Sequence, residues 1–428
     1  MNEEIVKIFE GINLHFVNTD KFKTDLIAAF FVTDLNRESV TKNALIPAVL
    51  RRGTNKLQTM KEISVKLEDM YGSVLDASSD KLGDRQVVQF YINSLNNNYA
   101  LDSMDIQGEA INLLCDIILN PKLVDDCFDE EFVKGEKETL RELIEAKIND
   151  KGSYSMVRCV EEMCSGEPYG LYKFGYVEDL DKIDAKNLYE QYKKILATAE
   201  IHIYLSGLFN KDDIVEKLKN RFSVIERKYE NKNIDTYIAE NKYENREVTE
   251  RQDVTQGKLV LGYRVNDIDI SKDLQKVILY ATILGGTPGS KLFQNVREKA
   301  SLAYTIRSIY VKHKGILMVA AGIEIDKYEE AHSLILKQVE DIRNGEITEE
   351  EIKDAKSYLT NSYKSFYDDQ SAIINFDMGQ TLLNNENTID ECIAKINAVS
   401  KEEVIEVANK LDLQLTYFLT GKEDDKND

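Results

Sequence analysis

The sequence predicts an α+β protein made of two homologous α/β domains, each a mainly antiparallel sheet packed with helices. Three observations carry that prediction. One long stretch occurs twice at a constant offset. Short apolar runs of strand length mix with amphipathic helical stretches in both halves. A hairpin pattern follows the paired helices in each copy.

The first copy is Thr41 to Tyr71, TKNALIPAVLRRGTNKLQTMKEISVKLEDMY: an apolar helix, a Gly-Thr break and a second, amphipathic helix. The second is DLQKVILYATILGGTPGSKLFQNVREKASLAY, ending at Tyr304. Thr54 and Tyr71 fall on Thr287 and Tyr304 (287 − 54 and 304 − 71 both give 233). At the same offset Leu45, Ile46, Ala48 and Leu50 fall on Ile278, Leu279, Ala281 and Ile283, and the apolar run Leu26 to Val32 falls on Leu259 to Val265. That period is far above the roughly 20–50 residues of stacked arrays, so the pattern is a duplicated domain and not a solenoid.

In order, strands are expected at 5–9, 12–17 and 26–33, then a helix at 41–52 with Ser39 or Thr41 as its N-cap. Helix 58–70 shows Met60, Ile63, Leu67 and Met70 at helical spacing, and Gly72 opens a strand pair at 73–77 and 86–92. Helical patterns cover 101–120, where Pro121 stops them, then 129–149, 153–164, 184–195 and 210–221, with a strand at 201–206. The second half repeats the plan: strand 257–265, helices 272–283 and 290–301, hairpin 303–323, five further helices between 326 and 409, and a strand at 413–420. Residues 1–223 are expected to form one domain and 251–420 the other. The Lys-, Glu- and Asn-rich stretch 224–250 is the expected linker, and 421–428 a disordered tail.

Composition narrows the function. No apolar run approaches the roughly 20 residues that span a bilayer. The start, MNEEIVKIFE, is acidic and lacks the zones of a secretory signal, so a cytoplasmic protein is expected, without membrane contact. A net charge of −21 argues against nucleic acid, which needs clustered Lys and Arg. The five cysteines form no C-x-x-C pair and are expected to be inert reduced thiols. The glycine-rich run Gly285 to Lys291 lacks the GK[ST] ending of a phosphate loop and is read as a turn between helices.

The run Val296-Arg297-Glu298-Lys299-Ala300-Ser301-Leu302-Ala303-Tyr304 resembles the V-R-E-K-x-G-L-A-Y signature of the pitrilysin/insulinase family of zinc peptidases. Glu167-Pro168-Tyr169-Gly170 resembles that family's PYG loop, and the resemblance runs over nearly the whole chain. Ser301 stands where the family carries glycine. The resemblance implies the family's duplicated metallopeptidase fold. Active members place H-x-x-E-H on the first-half helix before a Gly-Thr break. Two imidazoles at i and i+4 share one helix face and one metal ion, and the intervening glutamate takes the proton of the bound water.

Here those positions read Ala44-Leu45-Ile46-Pro47-Ala48. Methyl groups replace both imidazoles and a proline replaces the base. Glu142 resembles the family's third-ligand glutamate, but one carboxylate cannot hold a catalytic zinc. The histidines His15, His202, His313 and His332 offer no i, i+4 pair. The resemblance therefore implies a non-catalytic member: no metal or other cofactor in this chain, with zinc expected only in a partner.

What remains is Arg297 and Tyr304. In the family, residues at these positions reach toward the zinc site, bind peptide and polarise its carbonyl; a guanidinium and a phenol suit developing negative charge. Seven residues apart, they would share a helix face if the helix persisted to Tyr304. Two readings follow. In the first, the chain lends both residues to a homologous, zinc-bearing sister subunit acting on a peptide substrate. In the second, it is a catalytically silent peptide-binding or scaffold protein. A homodimer is compatible with either.

Overall fold

Apolar runs without polar alternation become the inner strands, because strands covered on both faces need no polar side. The computed structural model describes residues 3–230 and 245–422. They form two units: Met1–Ala146 with Leu171–Asp235, and Lys147–Gly170 with Thr236–Asp428.

The first unit holds β1 (Glu3–Phe9), β2 (Ile12–Asn18), β3 (Thr24–Asp34), β4 (Val74–Leu82) and β5 (Arg85–Leu95). A short ribbon, β6 (Leu123–Val124) and β7 (Cys127–Phe128), and the long strand β8 (Glu200–Gly207) complete its strands. The sheet runs β1-β2-β8-β3-β5-β4, antiparallel throughout except for the parallel pair β2/β8. Its helices include α1 (Val40–Leu50), α2 (Met60–Asp69), α3 (Ile106–Leu119) and α4 (Glu130–Glu145). Next in the chain comes α5 (Lys151–Met163), which belongs to the other unit, then α6 (Val177–Leu180), α7 (Ala185–Thr198) and α8 (Lys211–Phe222). Thr59 and Glu62 close a capping box on α2. Leu82 pairs with Arg85 across the two-residue turn Gly83-Asp84, where Gly83 takes φ +58°.

The second unit holds β9 (Arg246–Gln252), β10 (Gly257–Val265), β11 (Ala303–Val311), β12 (Ile316–Ile323) and β13 (Leu411–Gly421). Around them lie α9 (Ile270–Gly285), α10 (Tyr328–Arg343), α11 (Glu349–Ser365), α12 (Gln370–Leu382), α13 (Ile389–Ala398) and α14 (Lys401–Asn409). The sheet order is β11-β12-β10-β13-β9, with β13/β9 the one parallel pair. This is the order and sense of β4-β5-β3-β8-β2, so the duplication appears in the topology itself.

Three stretches depart from the sequence reading. Lys147–Gly170, expected within a first domain of residues 1–223, belongs to the second unit. Residues 246–250, read as linker, belong to β9, whose side chains alternate in exposure along REVTERQ; a charged outer face hid a period of two. Residues 290–301, read as one helix, contain a π-helical turn at Phe293–Lys299 that stops short of Tyr304. The centre of the linker, 231–244, and the tail beyond residue 422 lie outside the described residues.

In the second unit both sheet faces are covered. Leu259, Leu261 and Tyr263 of β10 pack under α9, α10, α11 and α14. The opposite face meets α5, whose Cys159, Val160 and Met163 pack on Val260, Met318, Leu415 and Tyr417. Gly262 permits this approach: a Cβ there would meet Met163 Sδ at 2.8 Å. Thus a segment that precedes the second repeat in sequence, Lys147–Gly170, supplies one cover of the second sheet.

Candidate functional site

The expected metal positions lie on α1. Ala44 and Pro47 are buried and Ala48 is half-buried, and none of the three side chains has a donor atom. Pro47 also lacks the N–H that would bond the Asn43 carbonyl. One turn earlier, neutral amides interlock. Asn43 Nδ2 donates to Gln86 Oε1 (2.9 Å), Gln191 Nε2 donates to Asn43 Oδ1 (2.8 Å), and Gln86 Nε2 donates to the Val40 carbonyl (3.0 Å). The inside of this helix is built for packing and amide pairing.

The carboxylate of α4 that reaches the turn after α1 is Glu136, 3.2 Å from the Arg52 guanidinium. Glu142 is six residues further, about 240° round the helix at roughly 100° per residue, and is exposed. Sequence reasoning missed Glu136; Arg52, just after the apolar stretch, is the signal that asks for an acid nearby. Among the described residues no group of three His, Cys, Asp or Glu could hold a metal ion. The residues present do not fit a zinc ion.

The histidines are used elsewhere. His15 and His202, both buried, share a hydrogen bond (Nε2···Nδ1, 2.9 Å) across the parallel strands β2 and β8, and His15 stacks on Tyr204 at 4.1 Å. His202 Nε2 lies 3.2 Å from Glu200. His313 bonds the Gly379 carbonyl, and His332 stacks on Tyr328. None of the five cysteines is in a disulfide, and burial pushes the Cys115 thiol up to about 12, far from a reactive thiolate.

Arg297 and Tyr304 stand on successive elements of different kinds. Arg297 sits in the π-helical turn with its guanidinium 4.5 Å over the Phe293 ring and its Nε 3.6 Å from Glu298. The turn closes through Ser301, at φ +52°, where Leu302 N–H donates to the Val296 carbonyl (2.9 Å). This is the conformation that glycine adopts freely, which accounts for glycine in the family's signature. Tyr304 is the extra residue of a β-bulge: Ala303 pairs with Ile323 and Thr305 with Gly322, and Tyr304 has no partner between them. The bulge puts Tyr304 and Thr305, consecutive residues, both at the surface. The Tyr304 hydroxyl donates to Glu324 Oε1 (2.8 Å), and this bond raises its pKa. By contrast Tyr71, its counterpart by sequence offset, lies in the turn after α2 at φ +58° and accepts from Leu101 N–H.

The PYG-like loop has a structural task within the second unit. The Glu167 carboxylate lies between Arg264 of β10 and Lys314 of the β11–β12 turn, with Lys314 Nζ at 3.0 Å, and all three side chains are buried. The Lys314 ammonium stands 6.0 Å over the Tyr169 ring. An arginine inside the apolar run LVLGYRV was the signal in the sequence for a buried acid.

Comparison with known proteins agrees with these features. The family description "Peptidase M16 inactive domain" matches residues 182–359. Probable inactive metalloprotease YmfF of Bacillus subtilis strain 168 is 34% identical over 413 residues, 96% of either chain. A conserved protein from Enterococcus faecalis V583 superposes with a TM-score of 0.91 at 30% identity, covering 100% of both chains. A peptidase M16 inactive domain from Pseudomonas fluorescens gives 0.80 at 19% identity, again over 100% of both, and shares the fold. With hydrocarbon where the family's zinc ligands stand, and with relatives described as inactive, the chain belongs to the M16, or pitrilysin/insulinase, peptidase family as a non-catalytic member.

Proposed function

We propose that this chain is the non-catalytic subunit of a two-chain zinc peptidase in the cytoplasm. It would offer Arg297 and Tyr304 to a peptide whose scissile bond is attacked at the zinc of a sister chain bearing H-x-x-E-H. The observation that supports this is the concentration of backbone irregularity around these two residues. A π-helical turn, a non-glycine residue at positive φ and a β-bulge all fall between Phe293 and Thr305. Each costs stability, and such devices cluster where side chains must be aimed.

The chemistry is that of fixed donors. The Tyr304 phenol keeps its proton, because it donates a hydrogen bond to Glu324, whose charge disfavours the phenolate. A peptide carbonyl would take over that bond as charge develops on its oxygen, and Arg297 would hold the peptide backbone or its flanking carboxylates.

The test is peptide cleavage by this chain mixed with its zinc-bearing sister. Arg297→Ala or Tyr304→Phe is expected to lower kcat/KM by about a hundredfold, the usual scale for one lost oxyanion donor. Unchanged cleavage by both variants would remove the subunit reading. The alternative then stands: a silent peptide-binding or scaffold protein.

A further inference from the structure

Beside Tyr304 the second unit has a hollow of about 300 Å³, the lower end of ligand-sized pockets. Its floor is apolar, with Val260 and Ala320 on the α5 face of the sheet, and its rim carries Lys258, Arg307 and Thr305. Thr305 follows Tyr304 in the bulge, and Arg307 stands two residues further along the same strand.

Among the described residues neither Lys258 nor Arg307 forms an ion pair: Lys258 Nζ donates to Gln256 Oε1, and Arg307 donates to Met156 Sδ at 3.6 Å. Asp150 is the acid whose charge reaches Lys258, but its oxygens are engaged at the start of α5, accepting from Gly152 N–H (3.0 Å), Ser153 N–H (3.1 Å) and Ser153 Oγ (2.7 Å). Asp253 lines the neighbouring hollow with Lys258. Partial burial lowers the Lys258 pKa, a shift an incoming anion would reverse.

We infer that this hollow binds a peptide carboxylate, with Lys258 and Arg307 as its cationic partners and an apolar neighbouring side chain on the Val260–Ala320 floor. The preferred ligand is thus an acidic peptide in which a carboxylate flanks an aliphatic residue. This deepens the proposed function and rests on its claim that the Tyr304 face handles peptide. A side-chain carboxylate and a free C-terminus share this chemistry.

The test is equilibrium binding to the full chain alone, by fluorescence anisotropy. The probes are coumarin-labelled, alanine-based octapeptides: one with an internal Leu-Glu and an amidated end, its Leu-Gln counterpart, and one with no charged side chain and a free C-terminus. Either carboxylate peptide is expected to bind about tenfold tighter than the Leu-Gln amide, the modest end of charged hydrogen bonding, and which one does identifies the source. Lys258→Gln with Arg307→Gln should abolish the difference, whereas Lys258→Arg with Arg307→Lys should retain most of it. Both positions are at least partly exposed, so the fold should tolerate these changes.

Equal binding of all three peptides, or discrimination that persists in the double Gln variant, would overturn the assignment. No sister chain is present, so this outcome is independent of the cleavage test on Arg297 and Tyr304. Discrimination here with no effect there would leave the carboxylate site standing without the subunit reading.

Discussion

Glu167 and Arg264 are opposite charges buried against each other, joining the loop after α5 to the middle of the second sheet. Lys314 is the third member, so two cations share one carboxylate out of water. Removing the acid leaves both cations uncompensated. Glu167→Gln is expected to cost about 3–5 kcal/mol in urea denaturation of the folded protein. A variant with Met at Glu167, Arg264 and Lys314 together should recover most of that loss, since apolar replacement of a whole buried group is often neutral. A cost below about 1 kcal/mol for Glu167→Gln, in the range of an exposed pair, would show that the group is solvated.

Glu250 governs a different response. Burial would raise its pKa, but hydrogen bonds from Tyr154 and Tyr417 (both 2.7 Å), Gln252 and Arg158 outweigh that and hold the carboxyl at about 2. A carboxyl held below its unfolded value of 4.5 stabilises the fold above that pH and loses the contribution as pH falls toward 2. The stability gap between the wild type and Glu250→Gln should therefore be full at pH 6 and shrink through this window. Chemical denaturation at both ends measures it; a gap independent of pH would rule the linkage out.

Ser301 occupies a left-handed position at φ +52°. A side chain there costs roughly 1–2 kcal/mol, part of which glycine returns in the unfolded chain. Ser301→Gly should raise stability by about 0.5–1 kcal/mol and Ser301→Val should lower it. Thermal melts of the two variants test the turn geometry, and a lower Tm for the glycine variant would contradict it.

The expected metal positions can be rebuilt on paper with Ala44→His, Pro47→Glu and Ala48→His. The structure argues that this will not suffice. Glu142 is exposed, Glu136 is held by Arg52, and among the described residues no group of three His, Cys, Asp or Glu could hold a metal ion. The triple variant should retain no stoichiometric zinc through dialysis, read by metal analysis. Tight retention would mean that a complete ligand shell survives around α1.

The wider architecture was legible because it is written locally. The run Leu26 to Val32 and its image Leu259 to Val265 became β3 and β10, each at the centre of its sheet. The fold class followed from that repeat together with strand and helix periodicity. β9 was missed because its charged residues resemble a linker until the exposure of alternate residues is seen.

The candidate site was legible only in kind. Sequence alone determined that Ala44, Pro47 and Ala48 offer nothing to a metal, since the atoms of a side chain are fixed by its identity. Direction and pairing were decided only by tertiary structure. Glu136 rather than Glu142 turns to Arg52, in the turn after α1, because helical angle depends on how the helix is docked. Tyr304 faces outward beside Thr305 because a bulge in the β11–β12 ladder adds a residue. His15 meets His202, and Glu167 meets Arg264, through strands and loops distant in the chain. Spacing along one dimension carries no signal for such contacts; they arise when burial of both sheet faces brings remote segments together.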